Sequence, residues 1–347
     1  MTASSPIARY FMRFAALTFG LALSTAIFAA PPGTYTVTNL VADPLGPPAL
    51  NTDANLINGW GVAVRPTSPF WVSSNGTNMS TVYDGSGNII SPPSPVSIPG
   101  PPTGIVANLS SADFGGAAFL WALEDGHVAA WSGGAAATIV FTASDSASYK
   151  GLAIAGNGTA LQLYLADFHN GKIDVLSSTF GAGTATGGFA DPTIPAGFHP
   201  FNIMNLNGNL FVAYALKETD GDDEVAGAGL GFVNVFNPNG NLLARVATRG
   251  KLNAPWGMAI APAGFGQFSN HLLIGNFGDG TINAYNLSPY HFAGQMRSSS
   301  GGILKVDGLW GIAFGNGVHN QPTNTLFFAA GPEDESQGLY GRIDVAP

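Results

Sequence analysis

The 347-residue chain has no cysteine, and Asp, Glu, Lys and Arg together make up only 10% of it, against roughly 25% in an ordinary globular domain. Without cysteine there is no disulfide, thiolate zinc site or cysteine nucleophile. Basic residues number 12 against 21 acidic ones, and Arg245, Arg249 and Lys251 form the densest basic group. The clustered positive charge that a nucleic-acid backbone requires is therefore missing. So are a Gly-x-Ser-x-Gly elbow, a His-Glu-x-x-His helix and a phosphate loop. Gly227-Ala228-Gly229-Leu230-Gly231 precedes a strand instead of opening a helix, so it is no dinucleotide fingerprint. What the chain does have is 23 Phe and 46% apolar residues, which exclude disorder. Its 47 Gly and 24 Pro weigh against a helical protein. A turn-rich, all-β protein remains.

A Gly-apolar-x-apolar element recurs after Trp60, Thr103, Lys150, Trp256 and Trp310, with a degenerate copy at Phe201-Asn202-Ile203-Met204. Its key positions are 61, 104, 151, 202, 257 and 311. Each copy is followed by a second apolar run, such as Phe119-Leu120-Trp121, and then by a third beyond a turn, such as His127 to Trp131. Short runs rich in aromatic and β-branched residues, punctuated by Asp-Gly and Asn-Gly, read as strands. Six repeats of three or four strands predict a six-bladed β-propeller. An open ring would leave unpaired edges, and the last repeat ends at its third strand. The alternating segment 35–41 is therefore expected to add the outer strand of the final blade and close the ring.

Arg9 and Arg13 precede an apolar stretch from Phe14 to Phe28, followed by Ala29 and Ala30. That pattern predicts a signal peptide over 1–30, a single propeller domain over 31–347, no transmembrane segment in the mature chain, and a secreted or periplasmic bacterial location.

In a propeller the turn entering each first strand shares a face with the turn leaving the second. Trp60, Trp256, Trp310 and His199 should therefore gather at the channel mouth as a ligand site. Glu124, Asp167, His169 and Asn276 should gather there too, as oxygen and imidazole donors for a divalent cation such as calcium or for acid–base work. Asp and Asn at strand ends also cap turns, which is the competing role. The acidic runs Glu218–Glu224 and Glu333-Asp334-Glu335 read as solvated surface loops.

Several segments resemble an uncharacterised family of exported bacterial proteins, some of which carry a PEP-CTERM sorting tail that this chain lacks. They include Asn55-Leu56-x-Asn58-x-Trp60-Gly61, Ala166-Asp167-Phe168-His169-Asn170-Gly171-Lys172-Ile173, Gly275-Asn276-Phe277-Gly278-Asp279-Gly280 and Asp307-Gly308-Leu309-Trp310-Gly311. The resemblance implies a propeller and export, without an activity. More distantly the chain is similar to NHL-repeat and gluconolactonase-type six-bladed propellers. The lactonases hold a divalent metal with a first-blade Glu, where this chain offers Asn58 and Trp60. Three readings follow: a propeller binding a small molecule, glycan or protein at the channel mouth; a metal-dependent, lactonase-like hydrolase; and an extracellular matrix or surface scaffold.

Overall fold

Six small antiparallel sheets stand around an axis in a computed structural model that describes residues 1–2 and 33–347. The segment read as a signal peptide lies almost wholly outside the described residues. The innermost strands are Gly59–Ala63, Pro102–Ala107, Tyr149–Gly156, Phe198–Leu206, Pro255–Ile260 and Leu309–Phe314, one for each repeat. Second and third strands follow as hairpins, for example Phe119–Leu123 and His127–Trp131 in blade 2. Among the described residues the helical elements are three-residue 3-10 turns. The fold is a six-bladed β-propeller.

Ring closure uses the two ends of the chain. Tyr35–Ala42 pairs antiparallel with Leu339–Val345, running from Tyr35 opposite Val345 to Ala42 opposite Leu339. Blade 6 thus takes its outer strand from the N-terminal side, as the expected edge argument requires. Blade 3 is the exception in the ring. Tyr149–Gly156, Leu161–Asp167 and Lys172–Ser177 form only three strands, and one bridge between Leu176 and Ala182 stands where an outer strand would be.

Strand periodicity explains the core. Successive side chains of a strand point to opposite faces, and each blade is buried on both. In blade 2, Leu120 and Ala122 pack with Leu152, Leu163 and Leu165 of blade 3. Phe119, Trp121 and Leu123 pack with Trp71 and Val82 of blade 1. The same division gives six interblade cores around the ring.

The repeated glycines sit where these blades meet at the axis. A Cβ on Gly61 would lie 3.0 Å from the Cα of Gly104, one on Gly104 the same distance from the Cα of Gly151, and one on Gly151 3.0 Å from the Cα of Asn202. On the other side, a Cβ on Gly257 would meet Trp310 O, and one on Gly311 would lie 2.8 Å from Trp60 O. Every inner strand also slips register beside this position. Such a bulge sharpens the local twist and re-aims the chain. The remaining void at the waist is about 20 Å³, room for one water at most. Asn202, the degenerate copy, donates through Nδ2 to Trp256 O at 2.8 Å and accepts from Ile203 N at 2.8 Å.

This ring predicts an asymmetry between glycines. Gly257→Ala places a methyl group against backbone and should cost about 3 kcal/mol or more, the severe end of overpacking. Gly156→Ala, whose added carbon would meet nothing closer than 3.8 Å, should leave stability unchanged or raise it by up to ~1 kcal/mol. Urea denaturation of both variants measures the contrast.

Candidate functional site

The position before each ring glycine opens the inner strand on one face, and in chain order it holds Trp60, Thr103, Lys150, Phe201, Trp256 and Trp310. The aromatic members fill the mouth. Trp60 stacks on Trp310 at 3.8 Å between ring centroids, Phe277 stacks on the other side of Trp310 at 3.9 Å, and Trp256 meets both tryptophans edge-on. Trp60, Trp256 and Trp310 are 2%, 4% and 0% exposed. They form a plug, with no broad aromatic face open to solvent. Trp310 Nε1 donates to Asn58 Oδ1 at 3.0 Å and Trp256 Nε1 to Lys150 O at 3.0 Å, while the buried Trp60 Nε1 has no partner among the described residues.

Lys150 replaces an aromatic residue in this ring. Its side chain is only 2% exposed, with Nζ 2.5 Å from Glu124 Oε1, 3.7 Å from Asp223 Oδ1 and 5.3 Å above the Trp60 ring. Burial alone pulls its pKa down, yet Glu124, Glu224 and Asp223 more than reverse that and hold it above the ordinary lysine value. It is a buried, matched cation.

Two long connections bring the carboxylates. The 217–231 connection of blade 4 carries Asp222, Asp223 and Glu224; Asp222 is tied to His169 Nδ1 at 2.8 Å and to Lys217 Nζ at 3.3 Å. The 331–338 connection of blade 6 carries Glu335, whose Oε1 accepts from Asn58 Nδ2 at 3.0 Å. Glu333, Asp334 and Glu335 have φ of 53°, 51° and 66°, a left-handed run that costs non-glycine residues about 1–2 kcal/mol each. Strain of this kind collects where a side chain must be held in one place. Asn75 Nδ2 donates to Glu124 Oε2 at 2.7 Å, completing a polar rim over the tryptophans.

Burial, joined by Glu335 and Asp223, pushes the Glu224 carboxyl up to about 8 against the opposing pull of Lys150. Burial also raises Glu335, helped by Glu124 and Asp223, while its bond to Asn58 works the other way. Both are carboxyls that release a proton reluctantly in this setting.

The residues expected to hold a metal belong to separate networks. Glu124 serves Lys150. Asp167, fully buried, accepts from Asn170 N and Nδ2 at 3.1 and 2.8 Å and so caps its own hairpin. Asn276 in blade 5 donates to Asp279 Oδ1 at 3.2 Å and Thr281 Oγ1 at 3.1 Å in its own hairpin, and it also ties in the connection before the inner strand, donating to Lys251 O at 2.8 Å and accepting from Asn253 N at 3.1 Å. His169 pairs with Asp222, as above. Among the described residues the one group of three acidic or imidazole side chains with ligand atoms within 4.8 Å is Asp145, Asp167 and Asp174, and Lys172 Nζ already bonds Asp145 and Asp174 at 2.7 and 2.6 Å. His199 lies apart from the rim: its Nδ1 is 2.6 Å from Phe168 O, and its ring lines a cleft of about 500 Å³ between blades 3 and 4.

Sequence reasoning missed Lys150, Asp223, Glu224 and Glu335 as one group. The two acidic runs read as solvated loops, whereas the structure folds each one toward the mouth. The signal for Lys150 was the lone cation in the aligned repeat position.

With this geometry in place, the class of protein is a six-bladed propeller with a plugged axis and a polar, acidic rim. No family model matches the chain. It belongs to the same family as two uncharacterized proteins of Acanthamoeba polyphaga mimivirus. One is 33% identical over 317 residues, covering 85% of this chain and 76% of the relative; the other is 31% identical over 320 residues, covering 85% and 82%. These viral relatives correct the resemblance to an exported bacterial family and the secreted or periplasmic bacterial location that went with it. The segments behind that resemblance fall largely in blade hairpins and strand starts, which the repeat itself requires. Among solved structures, the chain resembles a soluble aldose sugar dehydrogenase from Escherichia coli (14% identity, TM-score 0.57, 90% of this chain and 100% of that one). It also resembles a protein of unknown function from Bacteroides thetaiotaomicron (10%, TM-score 0.59, 90% and 76%) and a streptogramin B lyase (11%, TM-score 0.54, 90% and 97%). At such identities the likeness shows the fold alone. Among the described residues no helix is long and apolar enough to cross a membrane.

Two outcomes test the rim. Lys150→Met removes the cation and leaves Glu124 without its partner, so stability at pH 7 should fall by about 3 kcal/mol, as for breaking one side of a buried pair. Glu224 titrates at about 8 when folded against 4.5 in its ordinary setting. The folded state therefore binds the extra proton between those values, and stability falls as pH rises from about 4.5 to 8. Glu224→Gln should raise Tm by several degrees at about pH 8 and leave it nearly unchanged at about pH 4.5, read by calorimetry.

Proposed function

We propose that this protein is a binding propeller that takes a small cationic ligand, a divalent metal ion or an organic amine, on the rim of its channel mouth. The observation that carries this reading is the convergence of four carboxylates, Glu124, Asp223, Glu224 and Glu335, about a single buried ammonium. The rim is thus acidic beyond what Lys150 neutralises. The narrow waist keeps the ligand on the face, and Trp60, Trp256 and Trp310 act as its floor. Asn58 and Asn75 hold Glu335 and Glu124 in place by charge-assisted hydrogen bonds. Carboxylate oxygens suit hard cations such as calcium, and they accept charge-assisted hydrogen bonds from the ammonium groups of an organic amine equally well.

Binding should strengthen with pH as Glu224 ionises. Calcium and spermidine, titrated separately by calorimetry at about pH 6 and 8.5, distinguish the two cation types. At least one should bind more tightly, by about tenfold, at the higher pH. The double variant Glu224→Gln/Glu335→Gln should lose that binding and its pH dependence. Failure of both cations to bind at either pH would refute the reading. A metal-dependent hydrolase with Glu124, Asp167, His169 and Asn276 as ligands is the competing function, and stoichiometric metal retained in the Glu224→Gln/Glu335→Gln variant purified without chelator would favour it.

A further inference from the structure

The cleft between blades 3 and 4 carries a separate inference. Its volume is about 500 Å³, within the range of small-molecule sites. One wall is the start of the blade 3 edge strand at Lys172 and Ile173; the other is the connection through Phe189, Asp191 and Ile194; the floor is Phe198 and His199 at the start of the blade 4 inner strand.

The charges on its walls are matched within the protein. Lys172 Nζ is held by Asp145 and Asp174, and Asp191 accepts from Arg245 Nη2 at 2.5 Å and Asn234 Nδ2 at 3.0 Å. A charged ligand would find no unmatched counter-ion there. His199 is held instead in one hydrogen-bonding orientation. A carbonyl can only accept, so the 2.6 Å contact with Phe168 O makes Nδ1 the donor, and the neutral ring then presents Nε2 as an acceptor. The ring is clamped on its other side. A Cβ on Gly171, which has φ of +70°, would come within 3.2 Å of Cε1 and Nε2. Ala190 and Ala196 also line the cleft, and their backbone amides make no hydrogen bond among the described residues. Phe189, Ile194 and Phe198 supply apolar surface between these polar points.

We propose that this cleft is a binding site for a neutral saccharide ring, with His199 Nε2 accepting from one hydroxyl and the amides of the 190–196 connection donating to others. A sugar ring presents both hydroxyl donors and acceptors and an apolar C–H face, which matches a fixed acceptor, free amide donors and apolar walls with no unmatched charge. The site is independent of the rim: none of its polar contacts involves Lys150, Glu224 or Glu335.

The full chain titrated with methyl α-glucoside, methyl α-mannoside and methyl β-galactoside by calorimetry tests it. At least one should bind with a dissociation constant in the millimolar range. His199→Phe should weaken binding by about tenfold, the worth of one hydrogen bond. Ile194→Trp, which fills the cleft from a half-buried position and leaves His199 intact, should abolish it without lowering Tm by more than a few degrees. Glu224→Gln/Glu335→Gln, which disables the rim, should leave glycoside binding unchanged, so this site can fail or stand apart from the cation reading. No binding of any of the three at about 50 mM, binding retained in both cleft variants, or binding lost with the rim variant would each overturn the assignment.

Discussion

Close approach of backbone to backbone at the axis is the constraint on which the other features depend. Five glycines and Asn202 let six inner strands approach until a Cβ would sit about 3 Å or less from the next strand. Interblade cores of Leu, Phe, Tyr and Ala draw the blades together, but side chains at these ring positions would hold them apart. The void of about 20 Å³ follows directly. Any ligand must therefore meet the molecule on a face or between blades, because the axis has no room for one. Asn202 departs from glycine and is accommodated because its amide spans to Trp256 O, replacing open space with a hydrogen bond.

The ring also fixes what stands directly above it. The residue before each glycine is delivered to the mouth by the strand geometry, and four of the six are aromatic, so the mouth fills itself. Lys150 occupies the same place with a charge. A buried ammonium is tolerable only with matched carboxylates, and these come from outside the repeat core: Glu124 from the blade 2 hairpin, Asp223 and Glu224 from a long connection, and Glu335 from a strained left-handed turn. The lysine and the rim carboxylates thus account for one another. Asn58, itself at φ +47°, couples the two layers by receiving Trp310 Nε1 below and donating to Glu335 above.

Much of the architecture was legible because its signals are local and repeated. The Gly-apolar-x-apolar element, the turns between runs and the alternating segment at 35–41 together required a closed six-bladed ring. The rim was harder to read. Dense acidic runs look solvated in one dimension, and nothing in Glu218–Glu224 states that the segment folds back to reach Lys150. Asp167 and Asn276 were expected at the mouth face and do lie at the ends of second strands, but their oxygens and amides are taken by their own hairpins and by the connections leading into the inner strands beside them. A carboxylate at a strand end carries the same sequence signature whether it caps a turn or meets a ligand. Only the position of its neighbours separates the two. The location inferred from the N-terminal apolar stretch had a similar weakness, since a short basic-then-apolar run and hairpin motifs are both compatible with many origins.

Departures from sixfold repetition are where this molecule acquires chemistry. Regular blades bury both faces and leave only hairpin tips, which are occupied by their own capping bonds. The long connection in blade 4, the strained one in blade 6 and the lysine in blade 3 break the pattern together and build the rim. Blade 3 breaks it again by lacking an outer strand, and the 188–197 connection then crosses beside its edge strand, leaving the cleft over His199. Because the breaks use different residues, the rim and cleft can differ in ligand charge while sharing one rigid frame. The frame sets positions, and the irregular segments set chemistry. A relative that kept the ring glycines but replaced Lys150 with an aromatic residue would gain a complete plug and lose the reason for carboxylates above it. Cores and rim should therefore vary independently among chains with this fold.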